Sequence, residues 1–170
     1  MTRLLTVLIG ATLGITVGIA QTSTKEDSDY QLLKTDSYSI EIPKGWKVSP
    51  ETFFGQRKVK PSSGKGELGL MTAPPSRQSW EQLYRTSLFY ILREEEGKAT
   101  PFKLTKTKRG YEAATFDVVD RDGFNGRRYV LIKHAEKGLL AVSVAIPEKA
   151  TEKEWAKHFK RMVDTATFVE

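Results

Sequence analysis

The sequence predicts an α+β domain in which an antiparallel β-sheet lies between helices, as an α/β/α sandwich. Several short runs alternate apolar and polar residues with the period of a strand, and glycine or proline turns separate them. Two longer segments place apolar residues at helical spacing behind capping motifs. Because two of the strands are apolar on both faces, helices are expected to cover both sides of the sheet.

The first strands lie in the amino-terminal half. Tyr38, Ile40 and Ile42 fall on one face of a strand. The Pro-Lys-Gly turn that follows ends this strand, and the strand pattern begins again at Trp46. Two further strands are predicted, from Thr52 to Lys60 and from Gly66 to Ala73.

The first predicted helix begins at a capping box. Ser79 and Gln82 stand three residues apart, so each side chain is placed to bond a backbone amide at the helix start. The helix is expected to run to about Glu96, with Gly97 as its stop. Its apolar residues are Trp80, Leu83, Tyr84, Leu88, Ile91 and Leu92.

The pattern returns to strands from Thr105, and three strands with short connections then predict an antiparallel meander. They run from Glu112 to Asp120, from Tyr129 to Ile132 and from Leu139 to Ile146. A second helix comes next, with Thr151 and Glu154 as its capping box. Its apolar side carries Trp155, Phe159, Met162, Val163 and Ala166, and we expect both Trp80 and Trp155 to be buried against the sheet.

The amino terminus has the features of a signal peptide. Arg3 precedes an uncharged apolar stretch from Leu4 to Ile19, and the segment ends in Gly18-Ile19-Ala20, with small residues where signal peptidase needs them. The alternative is a retained membrane anchor, although threonines and small residues dilute the stretch. We therefore predict a signal peptide over residues 1–20, a disordered leader over 21–29 and one domain over 30–170, secreted or periplasmic. After cleavage no transmembrane span is expected.

Composition narrows the choice of partners. The 170 residues hold no cysteine, so disulfides, thiolate metal sites and lipoprotein anchoring are excluded. The formal net charge of +6 favours an anionic surface or an envelope protein as partner, and predicted export argues against nucleic acid. The alternative is that the lysines serve solubility alone.

The segment from Tyr38 to Trp46 (YSIEIPKGW) resembles the opening of PsbP-like domains, in which an aromatic strand precedes Pro-x-Gly-Trp. The final helix and the Thr167-Phe168-Val169 that follows it resemble the closing part of the same family. The resemblance implies an antiparallel sheet between helices, usually without catalytic activity. Relatives include extrinsic photosystem II subunits, bacterial envelope proteins and a Ran-binding import factor. This chain lacks the lipoprotein cysteine of many bacterial members, and it has a predicted signal peptide rather than a plant transit peptide. Predicted export also argues against a Ran partner, so no binding residue is carried over from any one relative.

Few residues indicate chemistry. His134 with Glu136 is the candidate half of a metal site or a general base, and His158 is the only second imidazole. A serine hydrolase is disfavoured because no Gly-x-Ser-x-Gly is present. Asp120 to Asn125 lacks the ligands of an EF-hand and is interpreted as a hairpin tip, and Ser63 to Gly66 lacks the spacing of a phosphate loop.

The basic residues are the candidate contact surface for an anionic partner. That surface consists of Arg57, Lys58, Lys106, Lys108, Arg127 and Arg128. The alternative is that lysines on strand edges only block aggregation. The expected function is a non-enzymatic, exported binding or accessory module of the cell envelope, without cofactor or metal. The alternatives are a periplasmic protein that binds a small ligand or metal, and, third, a hydrolase.

Overall fold

The computed structural model describes residues 29–52, 55–62, 66–95, 97–120, 126–146 and 152–169. The predicted signal peptide and most of the leader lie outside these residues, as do the Ser63–Lys65 loop, the hairpin tip at 121–125 and the capping residue Thr151. In the described part, no helix is long and apolar enough to cross a bilayer.

Eleven strands and two helices form the described chain. The elements are β1 (Tyr30–Lys34), β2 (Tyr38–Pro43), β3 (Lys47–Val48), β4 (Gln56–Lys60), β5 (Leu68–Ala73), α1 (Trp80–Glu95), β6 (Gly97–Ala99), β7 (Lys103–Lys106), β8 (Glu112–Asp120), β9 (Gly126–His134), β10 (Gly138–Ile146), α2 (Glu152–Thr165) and β11 (Thr167–Phe168).

The larger sheet holds eight strands in the order β3-β4-β5-β10-β9-β8-β6, with β7 also paired to β8. All of its pairings are antiparallel. The meander predicted from the sequence is confirmed, because β8 pairs with β9 and β9 with β10. The apolar strands β9 and β10 lie in the middle of the sheet, as their two-sided burial requires.

A smaller sheet holds three antiparallel strands in the order β1-β2-β11. Its central strand presents Tyr38, Ile40 and Ile42, all buried, to the inner face of the larger sheet. The last strand, β11, adds Phe168 to the same core. The Thr-Phe-Val segment near the end of the chain thus pairs with β2, which begins the YSIEIPKGW segment.

Each face of the larger sheet has its own core. On one face, which we call the α2 face, Trp155, Phe159 and Met162 of α2 pack with the smaller sheet against Leu140 and Val142 of β10. The opposite face, the α1 face, is partly covered by α1. There the core residues are Phe116, Val118, Leu131, Leu139 and Ala141, with Trp80, Tyr84, Leu88, Ile91 and Leu92 of the helix against them.

The predicted α/β/α sandwich is wrong. The described chain consists mostly of antiparallel strands in two sheets, of three and eight strands, and has two helices. The prediction failed because it placed Tyr38–Ile42 in the same sheet as the other strands. This strand instead belongs to a second sheet, which occupies much of the layer expected to be helical. Alternation of apolar and polar residues indicates that a strand has one buried face, but it does not indicate which sheet the strand joins.

Local boundaries also differ from the predictions. Strands β1 and β6 were not predicted, β7 begins at Lys103 rather than Thr105, and β4 begins at Gln56 rather than Thr52. Gly97 opens β6 directly after the described end of α1. The capping box is confirmed, since the Ser79 amide donates to Gln82 and the Gln82 amide donates to the Ser79 hydroxyl.

Candidate functional site

The predicted contact residues lie on both faces of the larger sheet. Arg57 is on the α2 face, where its guanidinium donates to Glu51 at 2.5 Å. Its charge and hydrogen bond also reach Tyr38, whose pKa is raised to about 12 because burial of the hydroxyl outweighs the attraction of Arg57. Arg57 is therefore engaged in holding the smaller sheet to the larger one.

On the α1 face, Lys58 and Arg127 meet at a shared carboxylate. Glu67 lies within 3.5 Å of Lys58, 3.2 Å of Lys60 and 3.1 Å of Arg127. Burial opposes ionisation of Glu67, but hydrogen bonds from Lys60 and Arg127 and the charge of Lys58 outweigh it and lower its pKa. We call these residues the Glu67 cluster; its cations are already paired within the chain.

The floor beside this cluster is shaped by small residues. Gly69 lies opposite Ser143 in the register of β5 and β10. A Cβ on Gly69 would stand 2.5 Å from the Ser143 hydroxyl and 3.8 Å from an Arg127 nitrogen. A larger residue at this position would therefore force the Ser143 hydroxyl to move.

Arg128 lies on the α2 face and forms a bidentate pair. Its two donor nitrogens stand 2.7 and 3.1 Å from the two Asp117 oxygens, directly across the β8–β9 pair. The hydrogen bond to Asp117 is the main cause that raises the pKa of Arg128, and the Asp117 and Glu152 charges add to it. This cation is also satisfied internally.

Lys106 and Lys108 differ from the other four. They lie in β7 and in the turn to β8, together with Lys103 and Arg109. Among the described residues no carboxylate lies within ion-pair distance of any of these four cations, although Glu112 is opposite Lys106 in the register. All four are exposed, and Leu104 between them is 60% exposed. We call residues 103–109 the cationic edge.

The structure thus brings together Lys58 with Arg127, and Lys106 with Lys108, but does not join the six residues into one surface. Sequence reasoning missed Glu67, because its partner Arg127 is 60 residues away and only the fold joins them. It also left out Lys103 and Arg109 from the cationic edge. Their signal was present, since four cations fall within seven residues.

His134 has a structural partner set. Its Nδ1 accepts hydrogen bonds from the amides of Glu136 and Lys137, both at 3.2 Å, and so closes the turn between β9 and β10. Its ring also lies near Tyr111 and Phe168. The Nδ1 lone pair is therefore engaged in these hydrogen bonds, and the group of Glu136 that contacts the ring is its backbone amide.

His158 lies in an aromatic cluster. Its Nδ1 stands 3.0 Å from the Tyr30 hydroxyl, and its ring lies 5.2 Å from that of Trp46. Burial is the main cause that lowers the pKa of this imidazole, against the opposing attraction of Glu154 at 3.7 Å. The described residues contain no group of three His, Cys, Asp or Glu side chains arranged to hold a metal ion.

The concavities of the described fold include a groove beneath α2 and a space between the two sheets. A mostly apolar groove of about 270 Å³ runs between α2 and the larger sheet, with Val130, Val144 and Phe159 in its wall and Arg128 at its rim. A more polar space of about 470 Å³ lies at the mouth between the two sheets, beside Glu51 and Lys137.

Comparison with known proteins bears on the fold. No family model matches the chain, and no curated protein matches it significantly. Among solved structures, it is similar to cyanobacterial PsbP (CyanoP) from Synechocystis sp. PCC 6803, with a TM-score of 0.64 and 13% identity over 95% of this chain and 99% of that chain. A point mutant of protein Mog1 gives a TM-score of 0.53 and 12% identity over 83% of this chain and 96% of that chain. The fold is therefore PsbP-like, which confirms the resemblance seen in the sequence.

Proposed function

We propose that the chain is an exported, non-enzymatic binding or accessory module of the cell envelope that takes an anionic partner. The observation that carries this proposal is the cationic edge, where four exposed cations have no carboxylate partner among the described residues. The cations of the Glu67 cluster and Arg128 already have such partners. An external anion therefore meets less competition at the edge than at the Glu67 cluster or at Arg128.

The PsbP-like fold supports the accessory role. One similar structure is that of a cyanobacterial PsbP, and the family that the sequence resembles includes extrinsic subunits of photosystem II. The non-enzymatic reading is supported by the two histidines, whose Nδ1 atoms are both engaged within the fold. Export rests on Arg3 and the apolar stretch that follows it. Amino-terminal sequencing of protein from the envelope or medium should begin at or near Gln21, and recovery of full-length protein in the cytosol contradicts export.

Binding is tested on a polyglutamate resin against an uncharged resin, with protein purified from the compartment in which it accumulates. Changing Lys106 and Lys108 to Ser should weaken retention by about 3- to 10-fold, since each exposed charge contributes a fraction of a kcal/mol. Retention should also fall as salt rises, because the Debye length shortens to about 8 Å at physiological ionic strength.

The matched control replaces Lys58 and Lys60 by Ser, which changes the net charge equally. These lysines already face Glu67, so we expect a smaller loss of retention. Equal losses in the two double variants contradict the proposal, because binding would then follow net charge rather than the cationic edge.

Small-ligand binding is the second candidate function, and the groove beneath α2 favours it. Apolar side chains form most of its lining, and its polar groups are Thr115, Arg128, Glu152 and Lys160, a combination that is typical of ligand pockets. An apolar fluorescent probe should bind wild type and be lost in Val144→Trp, which fills the groove. Probe binding unaffected by this change excludes the groove.

A further inference from the structure

The cationic edge includes a strand with one open side. Strand β7 pairs with β8, and in the described part of the chain no strand pairs with its other side. An open strand edge presents backbone donors and acceptors to which a further strand can bond.

The register shows which backbone groups face outward. The Thr107 amide donates to the Tyr111 carbonyl at 2.9 Å, so this pair is hydrogen-bonded across the hairpin. Hydrogen-bonded and non-hydrogen-bonded pairs alternate along an antiparallel ladder. The amides and carbonyls of Lys103 and Thr105 therefore point toward β8, and those of Leu104 and Lys106 point toward the open side.

The side chains of β7 divide between the two faces of the sheet. Leu104 lies opposite Ala114 and Lys106 opposite Glu112, on the α1 face, while Lys103 and Thr105 lie on the α2 face. An exposed leucine is thus flanked by lysines on both faces of one open strand. A strand-shaped ligand would meet an apolar contact and two cations within four residues.

We propose that the cationic edge binds an acidic, extended peptide segment of a partner protein, which adds to β7 as a further β-strand. This inference rests on the proposed function and names the form of its anionic partner. Acidic residues of the segment lie opposite Lys103 and Lys106, and an apolar residue lies opposite Leu104. Backbone bonding to Leu104 and Lys106 gives the affinity, and the side chains give the preference for an acidic sequence.

Charge decides between an acidic segment and a second copy of this chain. Pairing β7 with the β7 of another copy would bring eight cations together, since each edge carries four. Like charges directly opposite on paired strands destabilise the pairing. An acidic segment instead neutralises these cations as it binds.

The probe is a fluorescently labelled peptide with blocked ends and the core Glu-Thr-Val-Glu, titrated into the protein by fluorescence anisotropy. The matched control peptide has the core Glu-Thr-Pro-Glu, which has the same charge but lacks one backbone amide. We expect the proline peptide to bind about 3- to 10-fold more weakly, the effect of one lost hydrogen bond.

Two protein variants distinguish the contribution of the Leu104 backbone to peptide binding from that of its side chain. Leu104→Ala and Leu104→Pro both remove the leucine, but only the proline removes the outward amide. Proline is tolerated on edge strands at such outward positions. Leu104→Pro should therefore bind the Glu-Thr-Val-Glu peptide about 3- to 10-fold more weakly than Leu104→Ala does. Hydrogen exchange of the Leu104 and Lys106 amides in the wild-type protein should slow when the peptide is saturating.

The outcomes distinguish this inference from the proposed function. If both peptides bind equally and the Leu104 and Lys106 amides keep exchanging, the anionic partner is held by charge alone and strand addition is wrong. If vesicles of anionic lipid bind and the peptide does not, the partner is a membrane surface and the inference is also wrong. If neither probe binds at low salt, both the inference and the proposed function fail.

Discussion

The α2 face and the cationic edge of the larger sheet differ in how far the fold determines each side chain. On the α2 face, Trp155 is buried between Trp46, at a ring distance of 5.0 Å, and the backbone of Gly66. On the edge, Lys106 has no carboxylate partner among the described residues and Leu104 is mostly exposed. Substitutions on the α2 face should therefore change stability, whereas substitutions on the edge should change binding.

The largest effect is expected at Trp155. Its truncation in Trp155→Ala removes a buried indole from the core, and large-to-small core changes of this kind destabilise by about 3–5 kcal/mol. Urea denaturation followed by circular dichroism measures the loss. Trp80→Ala, at a partly buried position against the α1 face, is the comparison and should lose less. A loss below about 1 kcal/mol at Trp155 would mean that the α2 face is not packed as described.

The next effect is expected at Gly66, where the chain passes close to Trp155. Its φ is +103°, and a Cβ there would lie 2.5 Å from the indole ring. Gly66→Ala combines backbone strain with this overlap, and we expect a loss of about 2–4 kcal/mol. In a Trp155→Leu background the overlap is relieved, so the same change should cost less. Additive losses in the double variant would show that the two residues are not in contact.

A smaller, pH-dependent effect is expected at His158. Because burial lowers its pKa below the ordinary 6.5, the folded state binds fewer protons than the unfolded state as the solution is acidified. Its contribution to stability is present above about pH 6.5 and is lost as the pH falls through the lowered pKa. Neighbouring groups that also titrate or carry charge are Glu154, Lys157 and Asp29.

The test compares melting temperatures of wild type and His158→Gln from pH 7.5 to pH 5. Gln can also form a hydrogen bond with Tyr30 but does not titrate, so the variant should lose less stability on acidification. Parallel curves for the two proteins would assign the acid sensitivity to other groups.

The same contrast explains what the sequence could predict of the fold. Strand β8 matches the predicted Glu112–Asp120, and α2 buries the Trp155 that helical spacing selected. Alternation and helical spacing are visible in a sequence wherever one face is buried. All four residues of strand β7 are exposed, so it carries no such signal, and the sequence predicts a return to strands only from Thr105, inside β7.

The candidate site was predictable only in part, because ion pairing is a tertiary property. The sequence selects Lys58, Lys106 and Arg127 equally as cations. Only the fold shows that the first and third share the carboxylate of Glu67, whereas Lys106 has no carboxylate partner among the described residues. Clustering in the sequence therefore predicts an exposed basic surface better where the cations are close together in the chain, as at residues 103–109. It predicts such a surface less well where the cations come from different strands.

The smallest effect on stability is expected at the cationic edge itself. Lys103, Lys106 and Lys108 are exposed and make no ion pair with described residues, so changing all three to Ser should alter the free energy of unfolding by less than about 0.5 kcal/mol. At low salt the variant should be slightly more stable, since the change removes repulsion between neighbouring like charges. Urea denaturation at low and high salt measures both effects, with Glu67→Gln as the control that should destabilise because it removes the carboxylate from the Glu67 cluster. A loss above about 1 kcal/mol in the triple variant would mean that the lysine stems pack on the sheet, and the edge would then be structural rather than open to a partner.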